Sequence, residues 1–259
     1  VRYRNIWRNV VIGTIYVKAA LEKILPDLCV CTHGIYLNHG PIVDLCKSLN
    51  ISLTVWGIPY KKNTFYMTKS DTYHRALLHT SEDLWNVELT PLERANTKRY
   101  LDAKESGSSD NWSFFGSVTS DTDIKLEHLK KNKKIYSLFT NVDWDAQIFY
   151  QNNLFPTQLD WIDFTLNSLK NDKDAHVFIR IHPAEVSSKN DLILTKKNFG
   201  STLIPLIESI IMKNNIENVT FIQPEDNFSS YKLLESSYAS LIYGSKICLE
   251  SAYRNIPTI

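Results

Sequence analysis

The sequence predicts an α/β protein of two domains, each a mainly parallel sheet with crossover helices. Three observations carry this. Short apolar runs rich in strand formers alternate with longer amphipathic stretches on both sides of residues 116–134. The stretch 116–134 is itself polar and ends in the basic run Lys130, Lys131, Lys133 and Lys134, which reads as a solvated linker or helix end. A chain of 259 residues is also long enough for two ordinary domains. The division is placed at 118/119, giving domains 1–118 and 119–259.

Each element follows in order. Residues 6–25 place Val10, Ile15, Ala19 and Leu21 at helical spacing, with Trp7 and Val11 beside them, and Pro26-Asp27 stops that helix. Leu28 to Thr32 is a buried strand. A helix opens at Gly40-Pro41, where proline's missing N–H costs nothing, and Ile51 to Trp56 is the next strand. Residues 57–90 are irregular and aromatic. Thr90-Pro91-Leu92-Glu93 then spells a capping box, with Gly107 as the helix stop. In the second half, strands are expected at 135–140, 176–182, 219–222 and 239–243. Helices are expected at 156–170, 201–214, 229–236 and 246–254, and Ile256 to Ile259 begins to read as one more strand. Because the chain starts at Val1 and stops inside that run, it reads as truncated at both ends.

Composition removes several function classes. The formal net charge of +1 argues against a broad electrostatic grip on nucleic acid. No apolar run reaches the ~20 residues needed to span a bilayer, and no signal peptide is present. The cysteines are Cys29, Cys31, Cys46 and Cys248. Cys29 and Cys31, expected on opposite faces of one strand, are not expected to pair, so reduced thiols and a cytoplasmic protein are the reading. No histidine or cysteine spacing suggests a metal site, and no nucleophile elbow occurs.

The residues that could carry chemistry gather where strands end, which in open parallel sheets is where ligands bind. Tyr243-Gly244-Ser245-Lys246 lies at a strand-to-helix turn. Gly244 lets a ligand approach the backbone, Ser245 can cap the helix beside a phosphate, Lys246 adds charge, and Glu250 could accept ribose hydroxyls. The plainer reading is an ordinary capped helix with a surface glutamate. His182, ending the strand Phe178 to His182 before Pro183, could bind a phosphate or a sugar, or simply satisfy its own loop. Asn141, Asp143 and Asp145 could hold their turn or bind hydroxyls. In the first half, His33 leaves a strand in Thr32-His33-Gly34-Ile35-Tyr36, and Asp71 with His74 forms another polar pair. Lone histidines are more often structural, and three expected to face the cleft shift the balance somewhat.

The order of these motifs resembles the capsule polysaccharide biosynthesis proteins, a bacterial group with the GT-B fold of two Rossmann-like domains and a cleft between them. The residues that carry it are Arg180-Ile181-His182-Pro183, Ile222-Gln223-Pro224, Gly244-Ser245 with Glu250, and Asn255-Ile256-Pro257. The first half adds Thr32-His33-Gly34-Ile35-Tyr36, Thr54-Val55-Trp56-Gly57 and Asp71-Thr72-Tyr73-His74. The resemblance implies a metal-independent glycosyltransferase with no bound cofactor. Its donor would be a CMP-, UDP- or GDP-linked sugar and its acceptor a glycan or lipid-linked glycan at the inner face of the membrane, beside capsule assembly proteins. It implies that His182, Ser245 and Lys246 lie at the donor phosphate and that Glu250 holds the ribose. Asn141 and Asp145 would help bind the donor, and His33 or Asp71 would be the base. Many relatives with this His-Pro motif take a CMP-linked acidic sugar such as Kdo. Two alternatives stay open: polyol-phosphate transfer from a CDP donor, as in teichoic-acid-type polymer synthesis, and a non-catalytic sugar-binding capsule protein.

Overall fold

The computed structural model describes residues 2–59, 61–76, 81, 83, 86–104, 123–142, 153–182, 185, 203–224, 226 and 228–259. Gly107, Asp143, Asp145 and Pro183 lie outside the described residues. The elements run α1 (Arg2–Ile24), β1 (Leu28–Thr32), α2 (Gly40–Ser48), β2 (Ser52–Gly57), β3 (Tyr66–Lys69), α3 (Tyr73–Ala76), α4 (Pro91–Asp102) and α5 (Asp123–Leu129). They continue with β4 (Lys134–Phe139), α6 (Gln158–Leu169), β5 (Ala175–Arg180), α7 (Leu203–Asn214), β6 (Val219–Ile222), α8 (Ser230–Glu235), β7 (Ala239–Ile242) and α9 (Ile247–Tyr253). The protein is a mixed α/β chain, with parallel strands in each of the two sheets formed by the described residues.

By compactness, one unit ends at Ala95 and the next begins at Asn96, inside α4. The 118/119 boundary expected from the sequence lies outside the described residues. In the first unit the sheet order is β1-β2-β3, with β1 parallel to β2 and β3 antiparallel to β2. Its core is Leu21, Cys31, Val43, Cys46, Leu53 and Val55. The expected stripe on α1 is only partly used: Leu21 is buried, whereas Ile15 is exposed. Cys29 and Cys31 sit two apart on β1 and so share one face of the strand, not opposite faces. Both belong to the core around Cys46. All are free thiols, and burial, with Cys29 alongside, pushes the Cys46 thiol up to about 12.

In the second unit four parallel strands lie in the order β6-β5-β4-β7. Both faces are covered, which explains why these strands read as nearly continuous apolar runs. Leu138, Val177 and Ile179 pack with α6 and α7 through Trp161, Ile162, Leu166 and Ile207. Ile135, Phe139 and Phe178 pack on the opposite side with Leu126, Phe228, Leu233 and Leu234. The chain steps outward from β4 to β5 to β6, then returns to place β7 on the other side of β4. The two strands between which the winding reverses are therefore β4 and β7. Residues 257–259 extend the sheet: the Ser240 N–H donates to the Pro257 carbonyl at 2.8 Å and the Ile259 N–H to the Ser240 carbonyl at 2.9 Å.

Candidate functional site

Where winding reverses in an open parallel sheet, loops leave neighbouring strands in opposite directions and a crevice opens at their carboxyl ends. Asn141 and Gly244 occupy that place. The Asn141 side-chain amide donates to the Gly244 carbonyl at 3.0 Å, joining the ends of β4 and β7. Asn141 is itself held by Gln158, a buried side chain at the start of α6. Gln158 Oε1 accepts the Asn141 N–H, and Gln158 Nε2 donates to the Asn141 carbonyl at 3.0 Å. One amide thus satisfies both backbone groups of a residue that has left the ladder. Gly244 has φ +59° and is exposed, a conformation that any side chain would strain.

The same rim continues to β5. The His182 N–H donates to Thr140 Oγ1 at 2.9 Å, which ties the loop after β5 to the end of β4. β5 ends at Arg180, so His182 stands two residues beyond the strand, half-buried, rather than on it. Arg180 is buried and donates through Nη1 to the Gln223 carbonyl, anchoring the turn after β6. Gly244, Asn141, Thr140 and His182 therefore line the ends of three adjacent strands.

Two expected roles change. Ser245 does not cap α9: the N-cap is Lys246, in helical conformation, with no side-chain cap hydrogen bond. The Ser245 carbonyl instead accepts the Cys248 N–H at 3.2 Å, leaving its hydroxyl and the Lys246 side chain half-exposed on the rim. Glu250 is not a surface glutamate. Its side chain is 6% exposed and lies 3.8 Å from the ammonium of Lys104, itself 3% exposed. Burial of both charges follows from α9 packing beside the end of α4, where the Tyr253 hydroxyl donates to Asp102 at 2.7 Å.

In the first unit, His33 and Gly34 follow β1 with φ of +57° and +72°. The His33 N–H donates to the Trp56 carbonyl at 3.0 Å, and Thr72 Oγ1 donates to the His33 carbonyl at 2.7 Å. His33 Nδ1 lies 2.9 Å from the Tyr73 hydroxyl. Asp71 pairs with Lys47 at 2.6 Å and with Arg75 at 2.7 Å, and its Oδ1 accepts the Thr72 N–H at 2.6 Å. His74 is not the partner that the sequence suggested. Burial pushes the Asp71 carboxyl up, but the hydrogen bonds from Arg75, Lys47 and Thr72 outweigh it and hold the group below the ordinary carboxylate range. A carboxylate so held is a weak base. Among the described residues, no group of three or more histidine, cysteine or acidic side chains gathers into a metal site. Likewise, no described helix is long and apolar enough to cross a membrane.

Sequence reasoning missed Lys47, Arg75, Tyr73, Lys104, Thr140 and Gln158. Each acts through a partner at least 17 residues away except Arg75, which reaches Asp71 by helical i,i+4 spacing and was legible.

No protein-family model matches the chain, and no curated protein sequence matches it significantly. Among solved structures, it is similar to an S. aureus MnaA–UDP co-structure at 11% identity and TM-score 0.38, over 96% of this chain and 60% of that one. It is similar to UDP-GlcNAc 2-epimerase from Neisseria meningitidis bound to UDP-GlcNAc at 11% identity and TM-score 0.34, over 98% and 64%. A third is the Methanocaldococcus jannaschii UDP-GlcNAc 2-epimerase in complex with UDP-GlcNAc and UDP, at 13% identity and TM-score 0.32, over 96% and 64%. The chain thus spans less than two thirds of the length of each of these structures.

Proposed function

We propose that this chain is part of a metal-independent glycosyltransferase of GT-B type that moves a sugar from a nucleotide-activated donor to a growing surface glycan. The observation that supports this best is the rim at the winding reversal, where Asn141, Gly244, Ser245, Lys246 and His182 meet on adjacent strand ends. Backbone bared at a left-handed glycine and a lysine beside it suit the phosphates of a nucleotide. As the glycosidic bond breaks, the leaving phosphate gains negative charge, so Lys246 and His182 would stabilise the transition state more than the ground state.

The base takes a proton from the acceptor hydroxyl. His33 suits that role better than Asp71, whose charge is committed to Lys47 and Arg75. In the tautomer whose Nδ1–H donates to the Tyr73 hydroxyl, 2.9 Å away, Nε2 carries the lone pair that a base needs.

Calorimetric titration of the whole chain with CMP, CDP, UDP and GDP tests the reading. One nucleotide should bind, and Asn141→Ala should weaken it about tenfold, the scale of one hydrogen bond near 1.4 kcal/mol. A preference for CDP would favour polyol-phosphate transfer. Turnover of a nucleotide sugar without any acceptor would favour chemistry on the donor alone. Binding of none would favour a scaffold and sink the proposal.

A further inference from the structure

We propose that α1 of the first unit docks along an anionic lipid surface. The inner side of this helix is accounted for. Val17 and Leu21 pack into the core of the unit, and Val10 and Thr14 are half-buried on the same face. The outer side is apolar where a surface helix is ordinarily polar. Trp7, Val11 and Ile15 run four residues apart along one row, and Ile12 and Tyr16 along the next. These five are between 39% and 73% exposed, and they adjoin one another, so they form a patch rather than scattered exposures.

The charges around this patch indicate what covers it. Between Arg2 and Leu21 the sequence holds Arg2, Arg4, Arg8 and Lys18 and no acidic residue, although the whole chain carries only +1. Arg4, Arg8 and Lys18 are exposed. Of the four cations, only Lys18 has an acid one turn away, Glu22 at 3.7 Å. Arg4 and Arg8 stand four apart as like charges in the opening turns, where the helix dipole also disfavours cations. Placed there they weaken the helix taken alone, and an external anion reverses that cost.

The same features select among coverings. A second copy of the helix would set like cations against each other. A protein partner would need both a groove shaped to a convex helix and acids placed to meet Arg4, Arg8 and Lys18. A lipid surface meets both needs without a shaped groove: headgroups take the cations, and the boundary with the acyl chains takes Val11, Ile12 and Ile15. Trp7 and Tyr16 suit that boundary, since each ring has an apolar body and one polar group. With 23 residues but too little apolar character to cross a bilayer, α1 lies along the surface.

Co-sedimentation of the full chain with vesicles tests this, comparing phosphatidylglycerol mixed with phosphatidylcholine against phosphatidylcholine alone. The chain should pellet with the anionic vesicles only, and added salt should release it. Arg4→Gln with Arg8→Gln should weaken binding about 25-fold, at roughly fivefold for each cation removed from an anionic surface. Trp7→Ser with Ile15→Ser should weaken it about tenfold or more, because apolar contact is lost. All four positions are exposed, so the circular dichroism should not change. Equal binding to both vesicles, binding to neither, or full binding by either double variant overturns the proposal. A dimer in sedimentation velocity that Trp7→Ser with Ile15→Ser abolishes also overturns it, since the face then meets a second copy. The nucleotide rim belongs to the other unit, so failure here leaves the transferase reading standing.

Discussion

Asp71 illustrates how neighbours decide what a residue can do. Three residues before a histidine in sequence, it suggests acid–base chemistry, but two cations and a backbone N–H surround it in the fold. Its folded carboxyl sits below the ordinary range, so its contribution to stability is complete above the unfolded value of about 3.9 and disappears as pH falls through the lower folded value. Asp71→Asn should therefore cost about 1 kcal/mol at pH 7, the scale of a partly exposed ion pair. Urea denaturation should show that difference shrinking as pH drops below 4. A difference that stays constant down to acid pH would mean that geometry, not charge, is what Asp71 supplies. Asn141 is a parallel case: its amide joins two strand ends, a role that no spacing in the sequence announces.

The helix pair α4 and α9 carries a different kind of lesson. α4 is polar, with no buried residue, and the sequence opened it with a capping box. The box is present, with the Thr90 N–H donating to Glu93 at 2.8 Å and the Glu93 N–H to Thr90 at 3.3 Å. Just past its end, however, Lys104 is buried against Glu250 of α9. Two buried charges are costly to separate, because removing one leaves the other desolvated and alone. Lys104→Met should destabilise the second unit by about 3 kcal/mol. Adding Glu250→Leu should recover most of the loss. Chemical denaturation of the three chains checks this; a double variant no better than the single would deny the coupling.

At the scale of the whole molecule, the chain is two compact units that divide within α4. If the second unit alone holds nucleotide, ligand at about 100 times its dissociation constant should stabilise that unit by about 2.7 kcal/mol and leave the other unchanged. Hydrogen exchange read by mass spectrometry would then show added protection in peptides over 134–142 and 239–250, and none over 28–57. Uniform added protection would mean that the units open together. No added protection in either would contradict the assignment of the nucleotide to the β4–β7 rim.

The sequence alone determined the elements whose signals are local. β1 was placed to the residue, the Thr90–Glu93 box was read correctly, and the α9 turn was found by its Gly-Ser pair, because hydrophobic period and capping chemistry act over a few residues. It missed β3, a four-residue strand of alternating exposure within an aromatic stretch, whose identity rests on pairing with β2. It also did not give the surroundings of Ser245, Glu250 and Asp71. Those depended on partners brought near only by strand order and helix packing: Lys104 beside Glu250, Lys47 beside Asp71, Gln158 and Gly244 around Asn141. Charge, hydrogen bonding and burial are set by what lies within a few ångströms, and for residues far apart along the chain only the tertiary structure decides that distance.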